Sequence, residues 1–406
     1  MLSDLPQIPF MLLLTGFLVF LSIFAKGACT KIKLPPLLVY ICLGVFLKGL
    51  DEKYHILEGE HDLFRFLGML GVLVLLFDVG LGSNLKGLIE KLRGASLVWL
   101  GNVAVCLAGG WILARLFLDM EVLASLFLAT AFTATSVGVA AEIWRSKGKL
   151  DSEDGRLLMD VAEMDDISGV LMMTVLFAIA PLFQGDKEAI TFSSVALPGL
   201  KALGIFALFA FACYLFACFM EPHLTRFSEK LPGKSTPVLI IAGMAIILAS
   251  LAGLLGLSVA IGAFLAGLSY SRDPEAVGMR DSFDILRDMF APFFFIHIGM
   301  KMQPSALGAA WQLGILLLVV AVLVKLVGSG LPSLVFTSWK SSLLIGISMI
   351  PRAEITLIIM NKGHNLGEWA VSDRLFNAIV LVSFGTCLLA PLILQPLLPQ
   401  GKKSGS

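Results

Sequence analysis

The chain has 406 residues, of which 57% are hydrophobic and 15% charged, and its 30 basic and 30 acidic side chains cancel to a formal net charge of zero. No soluble core needs so apolar a chain, whose mean hydropathy is +0.90, and zero net charge implies no nucleic-acid partner. The six cysteines, Cys29, Cys42, Cys106, Cys213, Cys218 and Cys387, form no CxxC pair and lie mostly in apolar segments, so neither a disulfide framework nor a metal or other cofactor is read from them.

At roughly 20 apolar residues per membrane span, about thirteen segments are predicted, near 8–26, 34–50, 65–83, 95–118, 122–144, 156–183, 197–220, 236–254, 257–272, 285–302, 308–336, 341–361 and 375–398. The first is followed by Lys26, Lys31 and Lys33 and lacks a small-residue cleavage site, so it reads as a retained span. Placing residue 1 outside puts about 19 Lys and Arg on the inner side, among them Arg145, Lys147, Lys149, Arg226, Arg272 and Arg280, against about 9 outside. The expected orientation is therefore N-terminus out and C-terminus in, and the tail 400–406 leaves no room for a soluble regulatory domain.

Segment five carries Thr130-Ala131-Phe132-Thr133-Ala134-Thr135-Ser136-Val137-Gly138 in mid-span. Hydroxyls offer the backbone competing hydrogen bonds and glycine weakens a helix, so local unwinding is expected there. Taken alone, the run reads more simply as small residues at a close helix contact.

Segment six holds Glu163-Met164-Asp165-Asp166 in an otherwise apolar stretch. A charge near the bilayer centre costs at least ~2.5–3.5 kcal/mol on insertion scales, so acidic residues at that depth normally face a cavity and handle ions or protons. Asp166 is roughly ten residues into the span, hence ~15 Å deep, and Lys325 of segment eleven is ~18 Å from the same surface. A contact between them is possible in depth. Asp165 and Asp166 differ by about 100° around the helix, so they cannot present alike to one partner.

Segment twelve is interrupted by Met349-Ile350-Pro351-Arg352-Ala353-Glu354. Proline removes a backbone donor and clashes with the preceding turn. Segments five and twelve are an odd number of spans apart and must run in opposite directions, which is an inverted repeat. Paired interrupted helices of that kind mark the ion-binding centre of a secondary transporter. A consistent charge balance gives Lys325 to Asp165 and Arg352 to Glu163 or Glu354, leaving Asp166 without a fixed cation. Asp166, with the hydroxyls of Thr135 and Ser136 and nearby carbonyls, then offers a hard monovalent cation its oxygen ligands. Proton and cation exclude one another there.

These residues, with Gly256-Leu257-Ser258-Val259-Ala260-Ile261-Gly262-Ala263-Phe264-Leu265-Ala266-Gly267, occur in an order that resembles the monovalent cation:proton antiporter-2 family, NapA-type sodium/proton antiporters above all. The resemblance implies an all-α polytopic membrane fold of thirteen helices with two crossed, broken helices. It implies a transmembrane exchanger domain over 1–399, with core elements about 65–183 and 285–398 and dimerisation elements about 1–50 and 197–272. It further implies a homodimer in the bacterial inner membrane, elevator-like movement of the core, no enzymatic activity, and electrogenic exchange of protons for sodium, with lithium or potassium as further candidates. In family terms Asp166 is the ion and proton ligand, Asp165 the partner of Lys325, and Thr135 or Ser136 a neighbour of the ion. Kef-type potassium/proton exchangers are near relatives with a glutamine-containing motif in place of Pro351-Arg352-Ala353-Glu354. Glu163 resembles instead the acidic residue of electroneutral exchangers, which pairs with an arginine. Asp78, in Leu76-Phe77-Asp78-Val79-Gly80-Leu81-Gly82, reads as a displaced structural carboxylate, and His297 as a hydrogen-bonded core residue. A channel-like pathway is a weaker alternative, because no carbonyl-rich filter motif is visible.

Overall fold

The computed structural model describes residues 7–32, 34–54, 61–83, 85–184, 192–232, 236–271, 280–302 and 304–399; Arg272 and the tail 400–406 lie outside the described residues. The described elements are helical: α1 Gln7–Ile32, α2 Leu37–Tyr54, α3 His61–Gly82, α4 Leu85–Ile112, α5 Val122–Thr133, α6 Val137–Ser146, α7 Glu153–Ile179, α8 Phe192–Leu215, α9 Glu221–Lys230, α10 Thr236–Leu254, α11 Val259–Tyr270, α12 Arg280–Lys301, α13 Pro304–Lys325, α14 Trp339–Ser348, α15 Glu354–Leu366 and α16 Asp373–Leu397. Wide π turns prolong α4, α8 and α13, at Leu113–Phe117, Phe216–Met220 and Leu326–Gly330.

Each predicted segment falls on helix. Among the described residues, nine spans are long and apolar enough to cross a membrane by length and composition, and Val259–Tyr270 is a shorter apolar helix. The remaining predicted segments differ for visible reasons. The end of α2 carries Lys48, Asp51, Glu52 and Lys53, and the start of α12 carries Asp284, Arg287 and Asp288. The segment at 341–361 is divided into two half-helices by its break.

The helices cluster into two compact units, α1 to α3 with α8 to α12, and nearly all of α4 with α5 to α7 and α13 to α16. The grouping differs from the expected domain boundaries at α3 and α12, which belong to the first unit although 65–83 and 285–302 were assigned to the core. The cause is glycine packing. A Cβ on Gly80 of α3 would sit 2.1 Å from the Phe264 carbonyl oxygen of α11, and one on Gly267 would sit 2.1 Å from that of Phe77. The same reciprocal contact joins α2 and α12 through Gly44 and Gly299. Such pairs let helix backbones touch, which is how helices associate where lipid removes the hydrophobic drive.

Within the first unit, Asp78 receives Arg287 Nη1 at 2.9 Å, and Asp284 receives Arg287 Nη2 at 2.6 Å. Lys26 binds Asp288 at 2.6 Å. Asp78 is thus held in an ion pair, and His297 packs against Gly68, whose added Cβ would lie 3.2 Å from the histidine Cβ.

The second unit contains both interrupted helices. Ala134 is extended, with φ −62° and ψ 138°, and Ser136 is also non-helical, so α5 stops and α6 restarts three residues later. Pro351 stands in the second break, and the residue before a proline is steered away from helical geometry. The restart of α7 at Ser152 and of α14 at Ser338 follows ordinary capping, each hydroxyl accepting a backbone N–H from three residues ahead.

Candidate functional site: two crossed breaks and a carboxylate pair

The two breaks touch directly. Ser136 N–H donates to the Pro351 carbonyl at 2.8 Å, and Ser136 Oγ donates to Glu354 Oε2 at 2.8 Å. A helix that stops in mid-membrane leaves its last carbonyls without partners, and at α5 two buried cations take them. Arg352 Nη1 donates to the carbonyls of Ala131 at 3.2 Å and Ala134 at 3.1 Å, and also to that of Phe132. Arg352 Nη2 reaches the Ala321 carbonyl of α13 at 3.4 Å. Lys325 Nζ donates to the Thr133 carbonyl at 2.6 Å. Both side chains are 0% exposed. The C-terminal end of a helix carries about half a negative charge, so these cations sit where the backbone itself is electronegative. At the opposite polarity, Glu354 stands in the first turn of α15.

The charge balance gave Arg352 to Glu163 or Glu354; the hydrogen bonds of its Nη atoms described above go to carbonyls, and the guanidinium lies over the Phe132 ring, 5.0 Å from the centroid. The sequence balance counted side-chain charges alone and left out the partial charges of a broken helix.

The carboxylates of α7 differ sharply. Asp165 is 1% exposed, and donors surround it: Asn102 Nδ2 reaches Oδ1 at 2.8 Å, Thr135 Oγ1 reaches Oδ2 at 2.5 Å, and Lys325 Nζ lies 3.3 Å from Oδ2. Lys325 also donates to Thr135 Oγ1 at 2.5 Å, so the threonine hydroxyl bridges the ammonium and the carboxylate. Asp166 is partly exposed and, among the described residues, is engaged by no hydrogen bond or ion pair. Its electrostatic neighbours are Asp165, Glu354, Glu163 and Lys325. The expected site residues are therefore brought together, with Thr135 on the Lys325–Asp165 pair and Ser136 on Glu354.

Asn102 and Ser329 were missed. Ser329 Oγ donates to Asn102 Oδ1 at 3.0 Å, and both residues are fully buried. The signal was present, since a lone amide in the apolar span 95–118 must find partners. Among the described residues no cluster of three His, Cys, Asp or Glu could hold a resident metal ion. A monovalent cation would be cargo, not cofactor.

An all-helical, multiply spanning membrane fold with a charged site at two broken helices defines a transporter. The sequence comparisons specify it: residues 16–400 match the family of the sodium/hydrogen exchanger, transmembrane. The chain belongs to that family. It is 25% identical over 372 residues to the high-affinity Na+/H+ antiporter NhaS3 of Synechocystis, covering 90% of this chain and 78% of that one. It is 29% identical over 369 residues to the Na+/H+-K+ antiporter GerN of Bacillus cereus, covering 88% of each. The solved sodium proton antiporter MjNhaP1 of Methanocaldococcus jannaschii shares the fold, with a TM-score of 0.73 over 97% of this chain and 98% of that one at 14% identity. The protein is a monovalent cation/proton antiporter.

Proposed function

We propose that the protein exchanges protons for sodium at Asp166. The observation that carries this reading is the asymmetry of the aspartate pair: Asp165 accepts three donors, while Asp166 is left partly exposed without a hydrogen bond among the described residues. An ionised carboxylate in that position offers a cation oxygen ligands or takes a proton, and the two occupants compete. Thr135, bonded to the neighbouring Asp165, and Ser136, bonded to Glu354, would add oxygen ligands from the break. Lys325, released from Asp165 when Asp166 fills, would surrender a second proton and make the exchange electrogenic.

The paired aspartates with Lys325 support a NapA-type reading, in which the protein works as a homodimer in the bacterial inner membrane with the N-terminus outside. The compact second unit is the body that would move in an elevator cycle. Potassium is the second reading, because GerN carries both ions in its name. Proteoliposomes loaded in parallel with sodium, lithium, potassium and rubidium decide between them. Sodium is expected to drive the largest proton movement, with saturation; equal currents for all four, scaling linearly with concentration, would point to a pore instead.

A further inference from the structure

Asn102 lies on α4, whose described side chains include no Asp, Glu, Lys or Arg, yet its seat is closely built. Gly101 and Gly328 bring α4 against the π turn that follows Lys325: a Cβ on Gly328 would lie 3.1 Å from Asn102 Cα, and one on Gly101 would lie 3.0 Å from the Gly328 carbonyl oxygen. At that contact Ser329 Oγ donates to Asn102 Oδ1 at 3.0 Å, and Cys106 Sγ approaches the same oxygen at 3.5 Å. Ser329 and Cys106 could each donate or accept, but the Asp165 carboxylate only accepts, so the NH2 group is turned toward its Oδ1, 2.8 Å away, and the amide oxygen is left to Ser329 and Cys106. The amide has one orientation. Asp165 is thereby gripped on both oxygens, Oδ1 by Asn102 and Oδ2 by Thr135 and Lys325.

We propose that Asn102 is the positioning residue of the exchange site: oriented by Ser329, it holds Asp165 in place when Lys325 lets go, so that of the two aspartates only Asp166 trades proton for cation. This rests on the exchange reading above and adds to it a part for a neutral residue. The need for such a residue follows from the burial of the pair. A carboxylate at 1% exposure that loses its cation has two outlets, to take up a proton or to swing toward another donor. A neutral amide blocks both, because its hydrogen bond favours the ionised form without adding a charge that would compete with the cargo. The charged and titratable groups facing Asp165 are Lys325 from α13, Arg352 from the second break, Cys106 from α4 itself, and Asp166 and Glu163 on α7, with Glu354 near Asp166. Only Lys325 among them bonds Asp165, which leaves Asn102 and Thr135 as the donors that stay.

The test is the pH profile of cation-driven proton movement in proteoliposomes, for the wild type, Asn102→Ala and Ser329→Ala, using whichever of sodium and potassium gives the larger wild-type signal. A hydrogen bond to a charged group that is lost moves a titration by about one pH unit. Losing a donor that favours the ionised form makes proton release harder, so the half-maximal pH of Asn102→Ala is expected to rise by about that amount, with a weaker apparent affinity for the cation. Ser329→Ala frees the amide without removing it and is expected to shift in the same direction by less. A purely structural role would lower yield or melting temperature and leave the midpoint alone. Wild-type midpoint and half-saturation in folded Asn102→Ala overturn the proposal; if that variant does not fold, an unshifted midpoint in Ser329→Ala overturns it. A wild type that moves no protons with either cation is a different failure, one that removes the exchange reading and this inference with it.

Discussion

The two units solve the same problem, charge inside an apolar protein, in opposite ways. In the first, Arg287 ties Asp78 to Asp284 and Lys26 ties Asp288, with the four carboxylate and cation side chains of the Lys26 and Asp78 pairs between 14% and 41% exposed. Each of these charges meets its opposite, and water shares the load. In the second, Lys325 and Asp165 are both at 0% side-chain exposure and Arg352 is equally buried, while Asp166 next door makes no bond among the described residues. The lesson is that an ion pair by itself says little about function. What distinguishes the second unit is a full set of donors on one carboxylate beside another that bonds none of the described residues.

The sharpest way to break that contrast is Asp166→Asn. The variant keeps the size of the side chain and removes the proton-binding group, so sodium-driven proton movement is expected to fall to that of protein-free vesicles, while the melting temperature stays near wild type. Retained exchange would mean that the site has been placed on the wrong carboxylate. Next comes Arg352→Met, which strips the donor from the carbonyls of Ala131, Phe132 and Ala134 at once. Buried carbonyls without donors cost about 1–3 kcal/mol each, so this variant is expected to be the least stable of the set in detergent unfolding. Glu163→Gln serves as its control: no comparable loss is expected, since it leaves the donors to the three carbonyls in place.

Lys325→Ala is expected to be milder than Arg352→Met, because the stranded partner has a remedy. Breaking a buried pair from one side costs about 3–5 kcal/mol, but Asn102 and Thr135 remain to bond Asp165. The double variant Lys325→Ala with Asp165→Asn is accordingly expected to unfold later than Lys325→Ala alone. Equal stability of the two would show that the ammonium is held chiefly by Thr133 and Thr135 rather than by the carboxylate.

Much of this was legible in the sequence, and the parts that were not share a cause. Each segment predicted from hydropathy fell on helix, and Pro351 and the Thr133-to-Ser136 run located both breaks, because spans and breakers are local properties of the chain. Depth counting put Lys325 level with Asp166, next to the Asp165 that it bonds, for the same reason, since rise per residue is fixed. The carbonyl partners of Arg352 were missed because every residue has a carbonyl and no sequence singles one out. Asn102 was overlooked because it is neutral, and its importance depends on which helix stands opposite. The placement of α3 and α12 in the first unit rests on Gly80 with Gly267 and Gly44 with Gly299, pairs that are meaningful only after the helices have met.

The smallest expected effect is also the cleanest control on the comparison. Arg287→Ala removes the hub of the first unit's charge cluster, leaving Asp78 and Asp284 without it. Arg287 is 33% exposed and Asp284 42%, so solvent screens both carboxylates once the arginine is gone. Exposed pairs of this kind contribute about 0.2–1 kcal/mol, and Asp78, at 14%, is the one that would feel the loss most. The variant is expected to melt slightly earlier and to exchange cations with an unchanged pH midpoint and unchanged half-saturation. A shifted midpoint in Arg287→Ala would extend the coupled network to the first unit and make Asp78 part of the ion's route. An unmoved midpoint there, beside a moved one in Asn102→Ala, would confine proton coupling to the unit whose charges are buried.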